Sequence, residues 1–380
     1  MRIEEVETLL AGDSLYVRLT TDSGITGWGQ SAIFGYPDAV QMVVNSYSEL
    51  LIGMNPLSRE RIWHELFRAQ PFRSSFITAA VAAIDISLWD IAGRHFEVPC
   101  FELMGGPVRD RIRLHLVLGQ SWRDRGVEAA IGDAKAAAEL GFTAIKFNPF
   151  LDEPDGVHRR SWARSIEDAV EFAGAVRKTV GWDIDIAFEF HRRFSAAEAA
   201  VAYQALAPLR PYMIEDALSP DSTRVWGSIA GDAPTGTGER LDNIWEFADL
   251  LANGTVDIVR PDVGEAGGIT HVLKIAAVAE AQGKRLLCHN YVGPLLTLAT
   301  AHVYASVTNV STFEYTLLDE QPPRSLLVTS PARRVGGYLE LPEGPGLGYE
   351  AIDVSSQGPF TRWLPGAPTP TTSDGGLHLR

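Results

Sequence analysis

The chain opens in alternation. Apolar and polar residues trade places through LYVRLTT and ITGWGQ, on either side of Asp22-Ser23-Gly24. Period two with turn residues in the middle predicts two strands joined as a hairpin. The pattern then lengthens. Residues 38–53 and 58–69 repeat apolar positions at steps of three and four, which predicts helices. The segment from Phe76 to Phe96, FITAAVAAIDISLWDIAGRHF, predicts a strongly apolar, alanine-rich helix, with Gly93 as its stop.

From residue 112 the organisation changes. Eight short apolar runs follow: RLHLVLG, AIKFNPF, DIAFEF, YMIEDA, PTGTGER, VDIVRPD, RLLCHN and STFEYTLL. Helical patterns separate most of them, most clearly AAIGDAKAAAEL, AEAAVAYQAL and ITHVLKIAAVAEAQG. Alternating strand and helix predicts a parallel sheet covered by helices. Eight such units predict a closed (β/α)₈-type barrel rather than an open sheet. After about residue 322 Pro, Gly and short strands return. That region is expected to fold back on the N-terminal part, and the stretch PGAPTPTTSDGG reads as flexible.

Composition narrows the class. The 380 residues are 46% hydrophobic but contain no run of eighteen apolar residues, so no membrane span is expected. The N-terminus lacks the basic start and small-residue cleavage site of a signal peptide, which predicts a cytoplasmic location. Cys100 and Cys288 are the only cysteines, too few for a disulfide framework and without zinc-site spacing. Cys288, beside a histidine of interest, reads as a small apolar barrel residue. The net charge is −15 with no basic block, which argues against nucleic-acid binding. An acidic protein that handles a carboxylate needs local positive charge, and a metal ion is one source.

The chemistry lies at the strand ends. Lys146, Glu189, Glu215, Glu239, Asp262, His289 and Glu314 each fall near the C-terminal end of an apolar run. From Glu189 onward the steps are 26, 24, 23, 27 and 25 residues, about one βα unit each. In such barrels the C-terminal strand ends form the mouth of the active site, so the spacing points these residues into one cavity. A single charged strand end is more often a salt-bridge partner. Three carboxylates on consecutive strands, Glu189, Glu215 and Glu239, would repel one another unless a cation sat between them. All-oxygen ligands with open positions suit Mg²⁺. Asp262 and His289, from adjacent strands, have the pattern of a general base with its orienting carboxylate. His191, two residues after Glu189, is expected on the same face of its strand, opposite His289.

Together these residues resemble the enolase superfamily, in its mandelate racemase and muconate lactonizing branch. The resemblance rests on AAVAAIDISLWDIAGRHFEVPCFELMGG, the K-x-N of the second strand, E-x-H of the third, IED, GER, RPDVGEAGGIT and CHN, and it spans nearly the whole chain. It implies a modified TIM barrel, (β/α)₇β, at 112–321. An α+β capping domain at 1–111 would cover it, with the tail 322–380 packed back. Loops around Gly29–Tyr36 and Gln70–Ser75 would close over the substrate. Glu189, Glu215 and Glu239 would hold Mg²⁺, and Asp262 with His289 would form the base. Lys146 and Glu314 would contact the substrate carboxylate, Glu314 sharing a proton with it.

Two departures sharpen the reading. Where racemases of this branch show K-x-K, this chain has Asn148 as the second member, a substrate contact that cannot titrate. His191 on the next strand replaces the lost acid/base, as in galactonate-type acid sugar dehydratases. Position 189 is Glu where many relatives have Asp. The implied reaction is Mg²⁺-dependent dehydration of an acid sugar to a 2-keto-3-deoxy acid. His289 would take the C2 proton and His191 would protonate the leaving hydroxyl. The alternatives are an epimerase at the same site and a silent barrel that binds a sugar acid or a protein. The expected partners are a small carboxylate substrate and further copies of the chain in a homo-oligomer.

Overall fold

The computed structural model describes residues 1–69, 71–118, 127–150, 157–218, 233–253 and 256–362, together with 371, 372 and 374. The first layer is an antiparallel sheet of β1 (Ile3–Ala11), β2 (Ser14–Thr21) and β3 (Thr26–Gln30), with the turn where Asp22-Ser23-Gly24 predicts it. Helices α1 (Pro37–Leu51), α2 (Arg59–Arg68) and α3 (Ser75–Phe96) follow, within a residue or two of the predicted spans. Leu15, Val17 and Leu19 of β2 pack with Val40, Trp63 and Ile84 from these helices as a separate core.

Helix α3 is long and apolar enough to cross a membrane, but 89% of its most apolar stretch is buried inside the molecule. It is the shared wall between the first layer and the barrel. Gly93 does not stop it. The helix runs on to Phe96 and ends at Glu97, which takes a left-handed φ of 56°. Gly93 is needed for a close approach. A Cβ there would lie 2.6 Å from Gly346 Cα and 2.8 Å from Val98 O.

Among the described residues eight strands form the barrel: β4 (Arg111–Val117), β5 (Ala144–Phe147), β6 (Asp185–Glu189), β7 (Met213–Glu215), β8 (Thr235–Thr237), β9 (Ile258–Val259), β10 (Arg285–Leu286) and β11 (Phe313–Tyr315). Neighbours pair in parallel from β4 through β10, and β11 returns to β4 with Glu314 opposite His115. The β10–β11 seam is a single bridge, Leu286 with Val310, where Ser311 N–H donates to Leu286 O at 2.8 Å. Helices α4 (Val127–Glu139), α5 (Trp162–Val180), α6 (Ala196–Leu206), α7 (Ile244–Asn253), α8 (Gly268–Ala281) and α9 (Pro294–Ser306) cover the outside. The β7–β8 crossover, 219–232, lies outside the described residues.

Strand period two sorts the side chains. Phe147, Phe188, Ile214 and Val259 belong to the main core, while Ala187, Met213, Ile258 and Leu287 form a small separate cluster. That small cluster is the floor of the barrel interior. Residues two further on, Glu189, Glu215, Arg260 and His289, therefore stand directly above it.

A hairpin of β12 (Arg334–Val335) and β13 (Tyr338–Glu340) adds to β4 in antiparallel sense, and Gly346 O accepts from Cys100 N–H at 2.9 Å. Thr361 N–H reaches Gly12 O at 2.6 Å. The stretch predicted as flexible lies largely outside the described residues; within it, Thr371–Thr372 pair with Val157–His158.

Candidate active site

The predicted strand-end residues converge on the barrel mouth. Glu189 and Glu215 are opposite one another in register on β6 and β7, and Glu239 follows the end of β8. One oxygen from each of the three carboxylates lies within 4.8 Å of the others. Burial, reinforced by Asp216 and Glu239, raises the Glu189 carboxyl despite Lys146. Burial also raises Glu215 well above its ordinary value. Burial would raise Glu239 too, but His289, Arg240, Arg260 and Lys146 outweigh it and hold it at about 2. Three convergent carboxylates, two of them pushed up, form a donor set that fits a hard divalent cation with oxygen preference. The Glu189 side chain brings one oxygen into the group.

Beneath the triad is a buried ion cluster that the sequence reading only half anticipated. Lys146 Nζ lies 2.9 Å from Glu215 Oε2 and 3.4 Å from Glu189 Oε2, and also contacts Glu314. Arg260, fully buried, was not among the candidates. Its Nε lies 2.7 Å from Glu215 Oε1, and its Nη2 donates to Glu314 Oε2 at 2.7 Å. His115 Nε2 is 3.4 Å from the same Glu314 oxygen, while Nδ1 meets Thr312 Oγ1 at 2.9 Å. Burial would raise Glu314, yet Arg260 and Lys146 hold it well below the carboxylate range. The expected proton shared between Glu314 and a substrate carboxylate thus meets a different setting, because two cations already compensate Glu314. A signal for Arg260 existed: it stands two residues after floor residue Ile258, immediately past the end of β9.

The histidines flank this cluster. His289 Nδ1 meets Asp262 Oδ2 at 2.6 Å, and its Nε2 lies 3.9 Å from Glu239 Oε2 and 3.8 Å from Glu314 Oε1. The other Asp262 oxygen accepts from Gly264 N–H at 2.7 Å. Burial would lower the His289 pKa, but Glu239, Asp262 and Glu314 outweigh it and push it up to about 10. Glu239 leads those raising influences, so neutralising Glu239 returns the ring toward its neutral form.

His191 reaches the mouth by a different route from the one expected. Strand β6 ends at Glu189, and His191 has a left-handed φ of 47°, so strand alternation does not aim it. Its N–H donates to Glu189 Oε1 at 2.8 Å, and its Nδ1 lies 3.4 Å from Asn148 Nδ2. β6 is the third strand and β10 the seventh, which puts His191 and His289 on opposite sides.

Of the two expected closing loops, 31–36 reaches the site, with the Phe34 ring 6.5 Å from His289 and edge-on. In the other, Gln70 lies outside the described residues, and Arg73 stacks on Phe67 at 4.5 Å. A cavity of about 420 Å³ opens between the β1–β2 turn, the start of α9 and the tail, with Ser14, Gly293, Arg324 and Arg362 in its walls and none of the triad, ion-cluster or dyad residues among them. Cys288 is fully buried, as expected of a packing residue.

The chain has relatives. A family model described as mandelate racemase / muconate lactonizing enzyme, N-terminal domain, matches residues 6–105, and one described as enolase C-terminal domain-like matches 129–353. The chain belongs to the enolase superfamily, in its mandelate racemase and muconate lactonizing branch. It is 33% identical over 361 residues to a D-galactonate dehydratase of Ralstonia pickettii, covering 92% of each chain. It is 34% identical over 307 residues to a D-galactonate dehydratase of Pectobacterium atrosepticum, covering 80% of this chain and 78% of the other. Among solved structures it resembles an enolase from Agrobacterium radiobacter bound to Na and L-malate, with TM-score 0.91, 28% identity and 100% of both chains covered.

Proposed function

We propose that this protein dehydrates an acid sugar to a 2-keto-3-deoxy acid by removing the proton next to the carboxylate. The observation that carries the reading is the His289–Asp262 contact of 2.6 Å with His289 Nε2 turned toward Glu239 and Glu314. Glu189, Glu215 and Glu239 would hold Mg²⁺, which when bound supplies positive charge against the negative charge that develops on the substrate carboxylate.

The chain's own groups do the rest. Neutral His289 takes the C2 proton on Nε2, and Asp262 steadies the resulting imidazolium through Nδ1. The electron pair from the C2–H bond moves toward the carboxylate, and the Lys146 ammonium offsets that charge. His191, across the mouth, gives a proton to the 3-hydroxyl as the C3–O bond breaks. Water leaves, and the enol that remains takes a proton at C3 to become the keto acid. Asn148 cannot titrate, so it contacts substrate without moving a proton. The identity to D-galactonate dehydratases over most of the chain supports an aldonate as substrate.

The test is a screen of acid sugars, D-galactonate among them, for keto-acid release by the Mg²⁺-loaded protein. With a substrate found, His191→Asn should lose dehydration by about 10²-fold or more while still exchanging the C2 hydrogen in D₂O. His289→Asn should lose both. Interconversion of C2 epimers without keto acid would make the protein an epimerase. Exchange that survives in His289→Asn but not in His191→Asn would reverse the two roles.

A further inference from the structure

The loop between β9 and α8 carries Asp262, and the 31–36 loop, α2 and α3 hold that loop and the first turn of α8 at three successive points. Ala32 N–H, from the 31–36 loop, donates to Gly264 O at 3.0 Å. Trp63 Nε1–H, from α2, donates to Gly267 O at 2.7 Å. Asp85, from α3, accepts from Thr270 N–H at 2.9 Å and from Thr270 Oγ1 at 2.5 Å, while Trp89 Nε1–H donates to the same hydroxyl at 2.9 Å.

Each grip has a reason in the loop's own chemistry. Helix α8 begins after Gly267, which offers no side chain to cap it. Its first N–H groups need an acceptor, and an anionic one is favoured there. Asp85 supplies an acceptor from another part of the chain, with burial pushing its carboxyl up to about 7 against the two Thr270 hydrogen bonds. The glycines let the partners come close. A Cβ on Gly268 would lie 2.4 Å from Asp85 Oδ2, and one on Gly264 would lie 2.9 Å from both Ala32 N and Ala32 Cβ. Gly264 is the decisive residue. Its carbonyl is held by Ala32, and its N–H holds the Asp262 oxygen that does not face His289. One residue therefore separates the capping layer from the proposed base.

We propose that Asp85 and Trp63 are positioning residues for the reaction: by clamping residues 264–270 they fix Asp262, and through it the orientation of the His289 ring. The inference rests on the reading of His289 and Asp262 as the base. It gives the capping layer a second task beyond covering the substrate. The 31–36 loop that brings Phe34 against His289 also holds Gly264, so ordering of that loop and alignment of the dyad are one event.

The test compares Asp85→Asn and Trp63→Phe with Tyr349→Phe in the Mg²⁺-loaded protein. Tyr349 belongs to the tail and hydrogen-bonds Asp90, on the same helix as Asp85 but five residues further along, so it serves as a control for lost stability alone. The first readout needs no substrate: the far-downfield proton resonance of the His289 Nδ1–H···Asp262 bond, assigned by its loss in Asp262→Asn. It should shift or broaden in Asp85→Asn and Trp63→Phe and stay at its wild-type position in Tyr349→Phe. The second is turnover of the acid sugar that wild type dehydrates. kcat should fall by about 10- to 100-fold with KM little changed, the scale expected of a misplaced catalytic group. C2 exchange should fall with it. Asp85→Asn and Trp63→Phe proteins that lose stability yet keep both the resonance and kcat would overturn the proposal. Absence of keto acid with the wild type would instead count against the proposed reaction, and the resonance would still decide whether the clamp positions the dyad.

Discussion

Replacing Arg260 with methionine tests the ion cluster most directly. In the wild type its guanidinium lies 2.7 Å from Glu215 and 2.7 Å from Glu314, and it is fully buried. Methionine fills similar space without charge. Two buried carboxylates would then face each other with Lys146 as their nearest compensation. Removing one partner of a buried pair costs about 3–5 kcal/mol, because the remaining charge is left uncompensated. Against a total stability of about 5–15 kcal/mol that loss is large.

Its pH dependence has a definite sign. Glu314 is depressed in the folded wild type, so its stabilising contribution is present above the unfolded glutamate pKa of about 4.3 and is lost as pH falls toward the folded value. Without Arg260 burial dominates, and Glu314 takes up a proton more readily in the folded state. The deficit of the variant should thus be full near pH 8 and narrow on the approach to about pH 5. Urea denaturation of both proteins at those two values measures it. Mg²⁺ should also narrow the gap, since Glu215 gains a second source of compensation. A variant within about 1 kcal/mol of wild type near pH 8, or an equal deficit at both pH values, would refute the argument that Arg260 neutralises these carboxylates.

Chelation of divalent ions should abolish acid-sugar turnover and Mg²⁺ should restore it; Glu215→Gln should weaken Mg²⁺ binding in a direct titration, and full activity of demonstrably metal-free protein would sink the triad assignment. Gly93→Ala should lower the thermal midpoint. Its Cβ would press on the backbone at Gly346 and Val98, an overpacking cost of about 1–3 kcal/mol against a helix-propensity gain of about 1 kcal/mol. A variant more stable than wild type would contradict that contact.

Much of this protein is determined locally. Alternation set β2 and β3, and three- and four-residue periodicity set α1 and α2, because each pattern reflects one buried face of one element. The similar spacing of Glu189, Glu215 and Glu239 pointed to a shared cavity, because one βα unit has a nearly fixed length. Other features depend on partners distant in sequence. Gly93 looks like a helix stop until Gly346, from the tail, is seen to need its missing side chain. Arg260 reads as one more charge in a strand until closure of the barrel brings Glu215 and Glu314 to either side of it. His191 reaches the mouth through a left-handed turn after β6 rather than by strand alternation, which no period reveals. The role given to Asp85 depends on α3 meeting the start of α8, 185 residues away along the chain. Sequence periodicity records which face of an element is buried. What lies against that face is decided when the chain closes, since hydrogen bonds and ion pairs act over a few ångströms whatever the distance along the chain.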